Sequence, residues 1–272
     1  MTLVLNAAHS EFDGSTARST ALATAAALLA LTAPTLIALA ADGRTLNGAP
    51  IWLKPLHFQL ALAVQFGTLV LLMPLLSHRW ATSRMVGWSI SAAGLAALLE
   101  IAYIMTQAAR GRASHFNVAT PLEAALYPLA GVGSLVLVSS TLLFGVALWR
   151  SPAGPGSRGL HHGAVLGLIG GSLMTLVAAG YMSAGHSHLV GGPQTDAFGL
   201  PFLGWSTKSG DLRVPHFFAT HAMQALPLAG LIADRLVGPR MTWLAPALAA
   251  VYFAGVIGLF AETLLGIPFL AI

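Results

Sequence analysis

Between Trp205 and Gln224 the chain reads WSTKSGDLRVPHFFATHAMQ. A polar loop with Lys208, Asp211 and Arg213 runs through Pro215 into an apolar segment that still carries His216, His221 and Gln224. Imidazoles, an amide and paired charges in this order can ligate a metal or haem iron, move protons or hold an anion. Strongly hydrophobic sequence resumes after Gln224, so these groups stand in the first turns of a membrane span, where an uncompensated polar group is costly. The pattern recurs. His-Phe occurs three times, each with a basic residue three positions before the His and Gln or Glu eight after it: Lys54, His57, Gln65; Arg112, His115, Glu123; and Arg213, His216, Gln224. A duplicated helix pair, or three arms reaching one ligand, would produce this repeat.

Other polar residues of the apolar runs fall in the same layer. Glu100, Tyr103, Gln107 and Arg110 are spaced i, i+3, i+7, i+10, one face of a helix. Glu100 lies about 12 Å below the surface at 1.5 Å per residue, and needs a partner or a proton there. Glu123 and Tyr127 open the next span, His186 and His188 follow a later one, and Glu262 ends the last. A charged group costs about 2.5–3.5 kcal/mol at the centre of a lone helix, so these groups are expected to face one another around a polar cavity open to the outside.

The elements that must position them are membrane helices. Of 272 residues, 56% are hydrophobic and 8% charged, far from a soluble domain, and the apolar runs are continuous rather than alternating. The expected fold is all-α: an integral membrane bundle of seven transmembrane helices. The spans are expected at about Thr20 to Ala41, Pro55 to Leu76, Met85 to Ala108, Pro121 to Trp149, Leu160 to Ser183, Val214 to Leu236 and Met241 to Leu265. Residues 1–16 read as a flexible tail and 17–272 as one domain. The first span ends in Ala38-Leu39-Ala40, the form of a cleavage site, but it is longer than a signal core and reads as retained.

Lys and Arg flanks divide seven to six in favour of N-terminus inside, C-terminus outside. Loop character agrees, because SHRWATSR and DRLVGPR are brief and plain while the outer loops are long and chemically dense. The longest connection, 184–213, is rich in Gly and carries Phe198, Leu200, Phe202 and Trp205, so it is expected to fold back over the outer mouth. SPAGPGSRG, residues 151–159, reads as a plain linker.

Plainer roles compete for several of these residues. Lys54, Arg112 and Arg213 beside aromatics suit interfacial anchors. Thr120-Pro121-Leu122-Glu123 is a capping box. Arg110, Arg112, Asp211 and Arg213 can pair with one another as loop charges. His161 and His162 read as solvated at the inner surface.

The chain contains no cysteine, which removes disulfides, iron–sulfur clusters and thiolate metal sites. The net charge of +4 sits in loops and suits lipid head groups rather than nucleic acid. The first functional reading is a haem b or His-ligated metal centre in a membrane redox protein or oxidoreductase of the cell membrane, in the bacterial case the inner membrane. Its metal-ligand candidates are His57, His216, His221, His186 and His188, the last two paired if that loop is extended. Glu100, Tyr103, Gln107 and Gln224 are the catalytic or relay candidates, and Lys54, Arg110, Arg112, His115, Asp211 and Arg213 the ligand-binding ones. The bilayer is the expected partner, and a quinone or lipid-like molecule the expected small-molecule one. A small-solute or proton-coupled transporter and a seven-helix ligand sensor are the alternatives. A retinal pigment is excluded, because the two lysines, Lys54 and Lys208, lie outside the seventh span.

Overall fold

The long apolar runs all form helices. The computed structural model describes residues 14–154, 158–238 and 243–272, with eight α-helices among them. They are α1 (Gly14–Ala41), α2 (Leu53–Leu72), α3 (His78–Ala81), α4 (Arg84–Ala109), α5 (Pro121–Trp149), α6 (Arg158–Gly185), α7 (Arg213–Leu236) and α8 (Leu244–Leu264). Residues 1–13 of the expected tail, 155–157 of the expected linker and the start of the expected last span at Met241 lie outside the described residues. Six helices, α1, α2, α4, α5, α6 and α8, are long and apolar enough to cross a membrane. Helix α7 matches them in length, with 24 residues, but carries His216, His221, Gln224, Asp234 and Arg235.

The connections hold structure that the apolar pattern does not announce. The short helix α3 lies in the expected plain loop SHRWATSR. Two small antiparallel ladders pair β1 (Thr45–Leu46) with β2 (Ala49–Pro50), and β3 (Leu189–Val190) with β4 (Gly210–Asp211). Strands β3 and β4 lie within the 184–213 loop, which Trp205 anchors by burying itself against Phe217, Phe218 and Phe269. Backbone bonds from Asp196 N to the Asn47 carbonyl and from Leu212 N to the His188 carbonyl tie the loop to the β1–β2 hairpin and to α7.

Phe66, Phe144, Leu28, Ile90, Ile101, Leu148 and Leu168 are fully buried in a core shared by α1, α2, α4, α5 and α6. Lipid is as apolar as that core, so close packing and hydrogen bonds must hold the helices together. Between α6 and α7 the contact is backbone to backbone. Gly159, Gly163, Gly167 and Gly171 form one row at four-residue spacing, and a Cβ at Gly171 would stand 2.7 Å from the Ala219 carbonyl oxygen. At Gly163 and Gly167 it would come closer still, to the Leu226 and Ala222 carbonyls. Asp234 at the end of α7 closes the row, accepting from the backbone N–H groups of Gly159 (2.9 Å) and Leu160 (3.0 Å) at the start of α6.

Two inferences about the 151–162 region are corrected. Ser151 is buried rather than part of a free linker, and its hydroxyl accepts from Ser77 N at 2.9 Å. His161 is not solvated. Because α6 already begins at Arg158, its ring packs on the end of α5, is 5% exposed, and lies 3.1 Å through Nε2 from the Leu148 carbonyl.

Candidate functional site

The starts of α2, α5 and α7, the end of α4 and the 184–213 loop come together at one end of the bundle, and the ionisable groups there form linked clusters. The largest is organised by Asp196, which lies in the loop and was not among the candidates read from the sequence. Its carboxylate meets His188 Nε2 at 2.9 Å, an Arg213 guanidinium nitrogen at 2.8 Å and the Asn47 amide at 3.0 Å. Burial opposes the charge on Asp196, yet the His188 bond, the Arg213 charge and the Asn47 amide hold its pKa down at about 2. Arg213 also chelates Asp211, from Nε to Oδ1 at 2.9 Å and from an Nη to Oδ2 at 2.7 Å, and donates to the Gly204 carbonyl. Asp211 is fully buried and accepts from Ser206 N. Asp211 and Arg213 therefore spend their bonding capacity on fixing the loop. Beyond the end of α1, Arg44 and the Trp52 indole hold the Asp42 carboxyl well below the usual range.

A second cluster joins α4 to α5. Thr120 caps α5, accepting from Glu123 N, and the Glu123 side chain accepts from Thr120, from Gln107 at 3.2 Å and from Arg112 at 2.8 Å. The capping box and a functional-looking ion pair thus coexist on one residue. Arg110 is exposed and donates to Gln107 Oε1 at 2.8 Å. The Tyr103 hydroxyl lies beside Gln107, buried, without meeting hydrogen-bond geometry among the described residues.

Glu100 keeps different company. His115 Nε2 lies 3.6 Å from its carboxylate and Ser134 Oγ 3.5 Å, while Phe58, Phe116 and Tyr127 surround the imidazole. Burial lowers the pKa of His115, the Lys54 charge adds to this, and Glu100 opposes it. Lys54 faces Glu100, Asp196 and Arg213 and lies over the Phe58 ring, but makes no ion pair or hydrogen bond among the described residues. Two arms of the His-Phe repeat therefore meet at Lys54 and His115, and Arg213 of the third stands within their field.

The remaining imidazoles sit on α2 and α7. His57 takes the Phe202 ring edge-on at 5.3 Å. The buried Nε2 of His57 has no partner among the described residues. Phe202 holds φ at 63°, a conformation uncommon for an aromatic residue, and Phe116 beside His115 does the same at 56°. The Thr68 hydroxyl donates to the Val64 carbonyl, the Gln224 amide nitrogen donates to Thr68 Oγ1 at 2.9 Å, and Gln224 Oε1 is left facing His221 Nδ1 at 3.1 Å. His221 Nδ1 must then donate, and its Nε2 is the free acceptor. His216 is half-buried on the same helix, and its buried Nδ1 is unpartnered among the described residues.

His186 and His188 do not pair as extended-loop ligands. His186 is exposed with φ at 51°, and His188 turns to Asp196. Glu262 is exposed on α8, and its side chain makes no hydrogen bond or ion pair among the described residues. Among the described residues no group of three or more His, Asp or Glu side chains is arranged to hold a metal ion. Comparison with known proteins found no matching family model, no matching curated protein and no matching solved structure.

Proposed function

We propose that the chain is a seven-span membrane protein, N-terminus inside and C-terminus outside, in a cell membrane such as the bacterial inner membrane. Its polar end carries a haem-type redox centre at the outer face, with α7 as the span that completes it. The observation that carries this reading is a pair of imidazoles on two helices whose Nε2 atoms have no hydrogen-bond partner among the described residues. His221 gives Nδ1–H to Gln224 Oε1 and keeps Nε2 as a lone pair, the arrangement by which proteins orient iron-ligating imidazoles, and the buried Nε2 of His57 has no partner among the described residues. A bare ion held by protein alone calls for three or more ligands, whereas haem iron needs one or two, so the donor set fits haem better than a mononuclear ion.

When bound, such a group supplies one-electron chemistry. The chain's own residues orient and neutralise. Gln224, fixed by Thr68, orients the His221 ring, and the Phe202 ring packs edge-on against His57. Lys54, free of an ion pair among the described residues, is placed for an anionic substituent, a role for which Arg110 and Arg213 are already engaged. The Glu100–His115 contact can hold a proton beside the site.

Purified protein is expected to show a Soret band that is lost in His57→Ala and His221→Ala and kept in His188→Ala. Colourless wild-type protein, or a band unchanged in both first variants, overturns the reading. A carrier is the reading a colourless protein would leave, since Gln65 to Thr141, Gln224 to Thr68 and Thr175 to Thr220 bridges run a polar seam deeper among α2, α5, α6 and α7.

A further inference from the structure

Pairing, rather than number, separates the cations at the two ends of the bundle. At the polar end Arg44, Arg112 and Arg213 are each closed on a carboxylate. The opposite end, where Ser77 meets Ser151 and Asp234 caps α6, carries Arg18, Arg79, Arg84, Arg150, Arg158 and Arg235. All six are exposed, and none makes an ion pair or a side-chain hydrogen bond among the described residues. Arg79 and Arg150 lie over the Trp80 and Trp149 rings, 5.9 and 5.5 Å from the ring centroids. The one acid described at this end, Asp234, is spent on the backbone of α6. An uncompensated cationic end edged by tryptophan suits the anionic surface of a bilayer.

One of these arginines also borders a cleft. The start of α1, the turn after α2, α3 and the start of α4 enclose about 210 Å³, and Arg18 is the one charged residue in the described lining. The rest is apolar: Ala17, Met73, Pro74, Leu76, Ala81 and Val86. That volume is below the roughly 300–1,000 Å³ of pockets that enclose a drug-sized ligand, and it takes part of an acyl chain instead. Arg18 is exposed near the start of a membrane-compatible helix, so its guanidinium can be reached from the head-group layer. Guanidinium matches a phosphodiester in shape and charge. Ala81 and Val86 flank the start of α4, whose N-cap Ser83 makes no side-chain cap bond, so the first-turn N–H groups add positive potential at the edge of the cleft.

We infer that this cleft binds one anionic phospholipid, whose phosphodiester pairs with Arg18 while part of one acyl chain lies against Met73, Pro74 and Ala81, lining residues that keep accessible surface. Native mass spectrometry of the full-length protein, titrated in detergent with phosphatidylglycerol or with phosphatidylcholine of the same chains, tests this. Both lipids carry a phosphodiester, but choline brings a second cation to an end that is already cationic. One phosphatidylglycerol adduct, at least tenfold tighter than phosphatidylcholine, is expected. Arg18→Gln should weaken it at least fivefold and Arg158→Gln less than twofold, since Arg158 is exposed at the same end but does not line the cleft. Ala81→Phe, which fills the cleft, should weaken both lipids. Equal binding of the two lipids overturns the inference, as does binding indifferent to Ala81→Phe. Equal losses in the two arginine variants would mark diffuse attraction without a site, and also overturn it; this comparison stands even if Ala81→Phe does not fold. Glycerol 1-phosphate displacing the lipid at equal concentration would make free phosphate the ligand, against the inference. Lipid binding that appears only after Glu11→Gln and Asp13→Asn would assign Arg18 to the chain's own acids, with the same consequence.

Discussion

At the scale of single residues the decisive physics is partner supply. Asp196 sits between His188, Arg213 and Asn47, and its carboxylate is held at about pH 2 against the opposing effect of burial. A carboxyl whose folded pKa lies below its ordinary value of 3.8 contributes stability that is present above that value and lost as pH falls towards 2. Asp196→Asn is therefore expected to melt lower than wild type at pH 5, with the gap closing between about pH 4 and pH 2, measured by thermal scans in detergent. A gap that stays constant over this range would mean the carboxylate charge contributes nothing to the fold. None of this was legible in the sequence, because Asn47 is 149 residues away and Asp196 lies in a loop without periodicity. Glu100 and Glu123 were legible, since helical spacing and the capping box put each on a defined face. Their partners were only half so: Arg112 meets Glu123 as a loop charge bound to a buried acid, and His115 meets Glu100 only because Phe116 turns the chain through a left-handed residue.

At the scale of elements, what the sequence carried and apolar counting missed is the glycine row of α6. GLHHGAVLGLIGG places glycine every fourth residue from Gly159 to Gly171, and that periodicity is what lets α7, the most polar of the long helices, lie directly on a neighbour. Backbone contact of this kind offsets the poor lipid compatibility of α7, since its polar groups find protein instead of hydrocarbon. Gly163→Ala should cost about 1–3 kcal/mol, because the new methyl meets the Leu226 carbonyl. Gly131→Ala, with open space around it, should be neutral or gain up to about 1 kcal/mol from helix propensity. Equal effects of the two, read as melting shifts, would show that α6 and α7 are not in backbone contact. The burial of His161 is not legible for a related reason: the first turn of α6 is capped by Asp234, 75 residues on from Gly159, which local sequence does not reveal.

At the scale of the whole molecule, threading and function are one question. Six helices have the composition of spans, and the seventh long helix decides the parity. If α7 crosses, Arg213 and Arg235 lie on opposite sides and all the clusters built on Lys54, Glu100, Asp196 and His221 share one side of the membrane. If it does not, a chain of six crossings puts its ends together, and a redox centre on α2 and α7 loses its geometry. The cysteine-free sequence makes this measurable without background. Single cysteines at Thr207, Arg79 and Arg235, all outside the buried core, are treated in intact cells with a membrane-impermeant maleimide. Labelling of Thr207→Cys with protection of Arg79→Cys and Arg235→Cys is the expected outcome, and it places the polar end outside with α7 crossing. The reverse pattern keeps seven spans but moves the centre to the cytoplasmic face. Labelling of both Thr207→Cys and Arg235→Cys removes α7 from the membrane, and with it the shared depth at which His57 and His221 are proposed to meet one ligand.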